Sequence, residues 1–130
     1  MEKKDKLETI FEYQKFFDDE LIEKRNLGGI GMEEWIQRET LAMLSELAEL
    51  IDEVNFKWWK NKKEVDPGKV KDELVDILHF FTSMCIKTGM DADELFERYM
   101  AKNKENFDRQ HGKSKKPGYA LEENTDKADL

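Results

Sequence analysis

Apolar residues recur at helical spacing along four stretches of this chain, and none alternates with the two-residue period of a strand. The fold class is therefore all-α. The first stretch covers residues 4–25, with Leu7, Ile10, Phe11, Phe17, Leu21 and Ile22 on one side. Gly28, Gly29 and Gly31 then break the pattern. A second helix is expected over 33–54, where Trp35, Ile36, Met43, Leu44, Leu47, Leu50, Ile51 and Val54 form a broad apolar stripe. Residues 56–66 mix two tryptophans with four lysines and read as a loop. Asp66-Pro67 opens a third helix, because proline at the first helical position has no amide proton to leave unpaired. It carries Val70, Leu74, Ile77, Leu78, Phe81, Met84 and Cys85, and stops at Gly89. Asp91 and Glu94 stand at capping-box spacing ahead of a fourth helix that reaches about residue 107. The expected architecture is a bundle of four or five helices over residues 1–110, followed by a mobile tail over 111–130.

Only 38% of the 130 residues are apolar and 40% are charged, a thin core for a lone domain. Sharing the core with a second copy is the remedy, so a homo-oligomer is expected, a dimer or a dimer of dimers. Acidic residues outnumber basic ones, 30 to 22, which argues against a protein that wraps a nucleic-acid backbone. The balance still admits a small anionic ligand, since bound divalent cations reverse the local sign. The single cysteine, Cys85, makes no internal disulfide and suits a reducing compartment. The first residues lack the apolar core of a signal peptide, and no window approaches the ~20 apolar residues of a membrane span. A soluble, cytoplasmic protein without membrane partners is expected.

The chemistry lies in two matched doublets, Glu46-Leu-Ala-Glu49 and Glu73-Leu-Val-Asp76. Residues three apart on a helix share a face, so each doublet sets two carboxylates side by side. Both are embedded in apolar residues, Leu44, Leu47, Leu50 and Ile51 around the first and Leu74, Ile77 and Leu78 around the second, where a solvated face would carry polar neighbours. If the two helices pack antiparallel, four carboxylates converge. Their mutual repulsion then calls for a cation. Mg²⁺ takes oxygen ligands and is commonly held through carboxylates together with substrate phosphates; two ions would match four charges. No Cys/His cluster suggests zinc. The fourth helix supplies the opposite charge, with Lys102, Asn106 and Arg109 on one face. A point charge, an amide and a guanidinium fork suit a polyphosphate, although the same residues also suit a solvated helix end.

Together these residues resemble the dimeric, all-α dUTPase family, relatives of the MazG-like nucleotide pyrophosphohydrolases. The resemblance covers about residues 11–119. It is carried by Phe11-Glu-Tyr-Gln14-Lys15, Leu44-Ser-Glu46-Leu-Ala-Glu49, Phe56-Lys57-Trp58-Trp59 and Glu73-Leu-Val-Asp76-Ile-Leu-His79-Phe80. Lys102-Asn103-x-x-Asn106-Phe-Asp-Arg109-Gln110 and Gly118-Tyr119 complete it. It implies hydrolysis of dUTP to dUMP and pyrophosphate, with Glu46, Glu49, Glu73 and Asp76 as Mg²⁺ ligands. Glu49, or Glu46, would also orient or deprotonate the attacking water. Lys102, Asn106 and Arg109 would hold the outer phosphates, aided by Lys57 and Tyr119. Gln14 and His79 become candidates for the base and sugar pocket, with Phe80 and Trp59 as stacking surfaces. Two alternatives stand beside this reading. One is a MazG-like pyrophosphohydrolase of other or broad nucleotide specificity; the other is a helical interaction module whose acidic face binds a basic partner.

Overall fold

The computed structural model describes residues 3–120, and among them there are four helices and no strand. These are α1 (Lys6–Lys24), α2 (Met32–Glu53), α3 (Pro67–Lys87) and α4 (Ala92–Gln110). The all-α expectation holds. Residues 121–130, half of the expected mobile tail, lie outside the described residues. The chain divides into two compact units, Met1–Ala92 and Asp93–Leu130.

Local chemistry sets the helix ends. Asp5 caps α1, accepting a hydrogen bond from the amide of Glu8 (2.8 Å). Asp66 caps α3 through the amide of Gly68 (2.9 Å), with Pro67 at the first helical position as the sequence implies. At the other end of α3, Gly89 takes φ +86, and the Met90 amide reaches back to the carbonyl of Cys85 (3.0 Å). α1 ends within a residue of the expected place, at Lys24 with Arg25 as its cap. Asn26, at φ +55, supplies the left-handed residue, and the Leu27 amide closes on Ile22 O (2.9 Å), ahead of the glycines. Asparagine tolerates this conformation because its short amide bonds locally.

In the first unit α3 packs against both α2 and α1. Cross-helix bonds give the directions. Ser83 and Lys87 of α3 meet Glu39 of α2, while Glu73 lies beside Glu46, so α2 and α3 are antiparallel. Gln14 meets His79 and Asp18 meets Ser83, so α1 and α3 run parallel.

The core is small. Phe11, Cys85 and Ala92 are the buried apolar residues among those described; Gln14, Asp18 and Glu39 are buried too, and Thr82 and Ser83 fully so. On α1 the inward face is Phe11, Gln14 and Asp18, spaced i, i+3, i+7. The stripe Ile10, Tyr13, Phe17 and Leu21 is exposed instead. Exposed apolar stripes also run along α2 (Leu44, Leu47, Ile51) and α3 (Leu74, Leu78, Phe81). In the second unit, Arg109 pairs with Glu105 and bonds Asn106 Oδ1 (3.2 Å), and its guanidinium lies 5.3 Å from the Tyr119 ring centre.

Candidate active site

Antiparallel packing of α2 on α3 brings the acidic doublets together. One carboxylate oxygen from each of Glu46, Glu49 and Glu73 lies within 4.8 Å of the others. Asp76 stands outside that triad but near enough for its charge to act on Glu46, and both line one cavity. Glu46 Oε2 and Glu73 Oε2 are buried without a hydrogen-bond partner. An acceptor in that condition costs free energy until a donor or cation reaches it. The electrostatics agree. Desolvation, then the adjoining Glu46 and Glu49, push the Glu73 carboxyl up to about 7. Glu46 is raised too, chiefly by desolvation, with Glu49 and Asp76 adding to the effect and a hydrogen bond with Glu73 opposing it. These donors are all hard oxygens, which fits Mg²⁺ and does not fit a soft metal.

A cavity of about 850 Å³ opens between α1 and α3, reaching from Glu46 and Asp76 to Gln14, His79 and Phe80. That is the size range of small-molecule sites. Its walls include the exposed stripe of α1 and, from α3, Val75 and Leu78. Gln14 Oε1 lies 2.8 Å from His79 Nδ1, so two expected pocket residues meet directly. Phe80 borders the same space. Trp59 sits elsewhere, exposed in the α2–α3 loop, edge-on to Trp58 (centroids 4.7 Å) and Phe56. Lys57, also in that loop, faces Asp52 at 3.4 Å. Asn106, Arg109 and Tyr119 gather within the second unit, where Arg109 Nε is buried without a partner. Lys102 is exposed on the same helix.

Sequence reasoning missed a buried polar cluster, of which Gln14, Asp18, Glu39 and Ser83 line the same cavity. Asp18 Oδ1 accepts from Gln14 Nε2 (2.9 Å), and Asp18 Oδ2 from Ser83 Oγ (2.7 Å). Lys87 Nζ donates to Glu39 Oε1 (2.8 Å) and Ser83 Oγ (2.9 Å), and lies 3.8 Å over the Trp35 ring. The available signal was spacing: Gln14 and Asp18 occupy core positions relative to Phe11, where apolar residues are usual. Cys85 is no nucleophile candidate, since burial pushes its thiol up.

The family model described as dUTPase matches residues 6–91. The dCTP pyrophosphatase of Enterobacteria phage T4 is 38% identical over 87 residues, covering 56% of this chain and 51% of that protein. The dCTP pyrophosphatase of Enterobacteria phage LZ5 is 35% identical over 85 residues, 65% of this chain and 48% of that protein. A DNA replication protein of phage T4 is 36% identical over 81 residues, 52% of this chain and 21% of that protein. The chain thus spans about half the length of the two pyrophosphatases it matches. No solved structure matches it. The match spans α1, α2 and α3 with every carboxylate of the two doublets, and the chain belongs to the all-α dUTPase family.

Proposed function

We propose that this chain is a Mg²⁺-dependent nucleoside triphosphate pyrophosphohydrolase that converts dUTP to dUMP and pyrophosphate in the cytoplasmic nucleotide pool. The observation that carries the reading is the carboxylate triad with two buried, unpartnered oxygens at one end of a nucleotide-sized cavity. Glu46, Glu49, Glu73 and Asp76 hold the metal. When bound, Mg²⁺ neutralises phosphate charge and favours attack by water at phosphorus. Glu49, the exposed member of the triad, orients that water and takes its proton. Gln14 and His79 meet the base and sugar, with Phe80 as an apolar wall. Lys102, Asn106, Arg109 and Tyr119 are the anion-binding set, with Lys57 as a helper. The protein acts as a homo-oligomer, at least a dimer. The exposed stripes of α1 and α3 border the cavity, and a second copy covering them would enclose the substrate.

A second reading, hydrolysis of dCTP, is favoured by the two phage relatives, whose names state that substrate. Pyrophosphate release measured on dUTP, dCTP, dTTP and UTP, with Mg²⁺ and with chelator, tests both. Release from dUTP at least 10⁴-fold faster than from dCTP supports uracil recognition by hydrogen bonds. The reverse preference moves the assignment to dCTP. A spread below about tenfold leaves a broad pyrophosphohydrolase. No Mg²⁺-dependent release from any nucleotide removes the enzyme reading in favour of an interaction module.

A further inference from the structure

The cavity's polar end holds a chain of hydrogen bonds whose directions can be deduced from chemistry alone. It begins at Asp18, 7% exposed, whose oxygens face Gln14 on one side and Ser83 on the other. A carboxylate only accepts, so the Gln14 atom 2.9 Å away has to be its amide nitrogen. The Gln14 carbonyl oxygen is thereby turned to His79. A carbonyl also only accepts, so His79 Nδ1, at 2.8 Å, has to carry the proton. The neutral ring has one N–H, which leaves His79 Nε2 with a bare lone pair. Ser83 holds Asp18 in place from the far side. Ser83 Oγ also lies 2.5 Å from Glu39 Oε1, and Lys87, by donating to Glu39 and to Ser83 Oγ, frees the single hydroxyl proton for Asp18.

We propose that Asp18 is a positioning residue acting through Gln14 and Ser83. It fixes the Gln14 amide and the Nδ1–H tautomer of His79, so that His79 Nε2 accepts a hydrogen bond from the bound nucleotide. The group recognised is an N–H or O–H donor on the base or sugar. This rests on the reading of the cavity as the nucleotide pocket. The tautomer itself is a property of the free protein and is tested without a nucleotide.

The chain has two histidines, so a His111→Gln variant leaves His79 as the sole imidazole for ¹⁵N correlation spectroscopy. With the ring neutral, at alkaline pH, a protonated Nδ1 and an unprotonated Nε2 are expected. A proton on Nε2 overturns the proposal, and no nucleotide or further variant is needed for that result. In Asp18→Asn the new amide can donate as well as accept, freeing Gln14 to flip. The single tautomer should give way to a mixture. KM for the preferred nucleotide should rise about tenfold, with kcat changed less, as for one lost binding contact. A lower melting temperature with unaltered ¹⁵N signals and KM would make Asp18 structural only and sink the assignment. A base methylated at N3 for uracil, or dimethylated at N4 for cytosine, and a 2′,3′-dideoxy sugar remove the two donor types in turn. One of the two should raise KM about tenfold in the parent. If neither does, the tautomer stands but Nε2 does not read the substrate, and the proposal fails there. If no nucleotide is hydrolysed while the tautomer is as deduced, the enzyme reading has failed, and with it the substrate half of the proposal.

Discussion

Glu49 acts on both its neighbours: its negative charge is among the causes that raise Glu46 and Glu73. Glu49→Gln therefore removes repulsion from the metal-free site and, on the proposed mechanism, deletes a ligand and the group that orients water. Turnover should fall by roughly 10²–10⁴-fold. The metal-free melting temperature should hold or rise. Turnover within about tenfold of the parent would take Glu49 out of the mechanism. Glu73 gives a prediction of opposite pH sense to ordinary acid denaturation. Its carboxyl lies at about 7 in the fold against an ordinary 4.5, so the folded state binds a proton more tightly than the unfolded chain. Its contribution is full below pH 4.5 and is lost as pH rises through 7. With chelator present, thermal melts should show this term weakening between those values, and millimolar Mg²⁺ should abolish the loss. A Glu73→Gln protein retaining the same slope would place the cause elsewhere. The doublets were legible because i, i+3 spacing is local information. The Asp18–Ser83–Glu39–Lys87 cluster was not. Each member is an ordinary polar residue on its own helix, and only the register of three helices brings them together.

Helix ends show where local chemistry sufficed and where it misled. Asp66-Pro67 and Gly89 mark α3 as the sequence implies. Three glycines mark the break after α1 in the sequence, while Asn26 makes the turn itself. Glycine is the usual left-handed residue, and asparagine's competence is easily overlooked beside three of them. The same chemistry recurs after α2. Asn55, at φ +61, accepts from the Lys63 amide (3.0 Å) and donates to the Lys63 carbonyl (2.9 Å), folding residues 55–63 into a closed loop. This loop carries Lys57, Trp58 and Trp59. Asn55→Ala loses two hydrogen bonds and puts a less suited residue in the left-handed region, so unfolding should cost about 2–3 kcal/mol less. Asn55→Gly keeps the backbone freedom and should lose less. Chemical denaturation of both would show it, and equal losses would mean the side-chain bonds alone matter. A loop reading of 56–66 was possible from composition; its closure by one asparagine was not, because that bond spans eight residues.

For the molecule as a whole, the question is what covers its apolar faces. All four helices carry apolar residues outward, and Tyr13 and Phe17 on α1 are 73% and 60% exposed. Composition pointed to a thin core, and among the described residues Phe11, Cys85 and Ala92 are the buried apolar ones. Composition could not foretell that the buried face of α1 would be the one bearing Gln14 and Asp18, leaving the stripe of Ile10, Tyr13, Phe17 and Leu21 for another surface. Burying a large apolar side chain is worth about 1.5–3 kcal/mol, so a handful of such residues on each copy is ample drive for association. In a symmetric dimer each stripe is used twice. The parent should therefore sediment as a dimer or larger at micromolar concentration. Tyr13→Glu with Phe17→Glu removes little from the isolated chain, since both side chains are largely exposed there, so helix content should survive. The variant should sediment as a monomer. Its kcat/KM should drop by about 10²-fold or more, because an open cavity neither excludes water nor holds the substrate in register. Dilution separates the two causes. If assembly is what matters, the parent's specific activity should also decline below its dissociation constant, and recover on concentration. A parent that stays fully active as a demonstrated monomer would show that one copy completes the site alone, and the exposed stripes would then need another occupant.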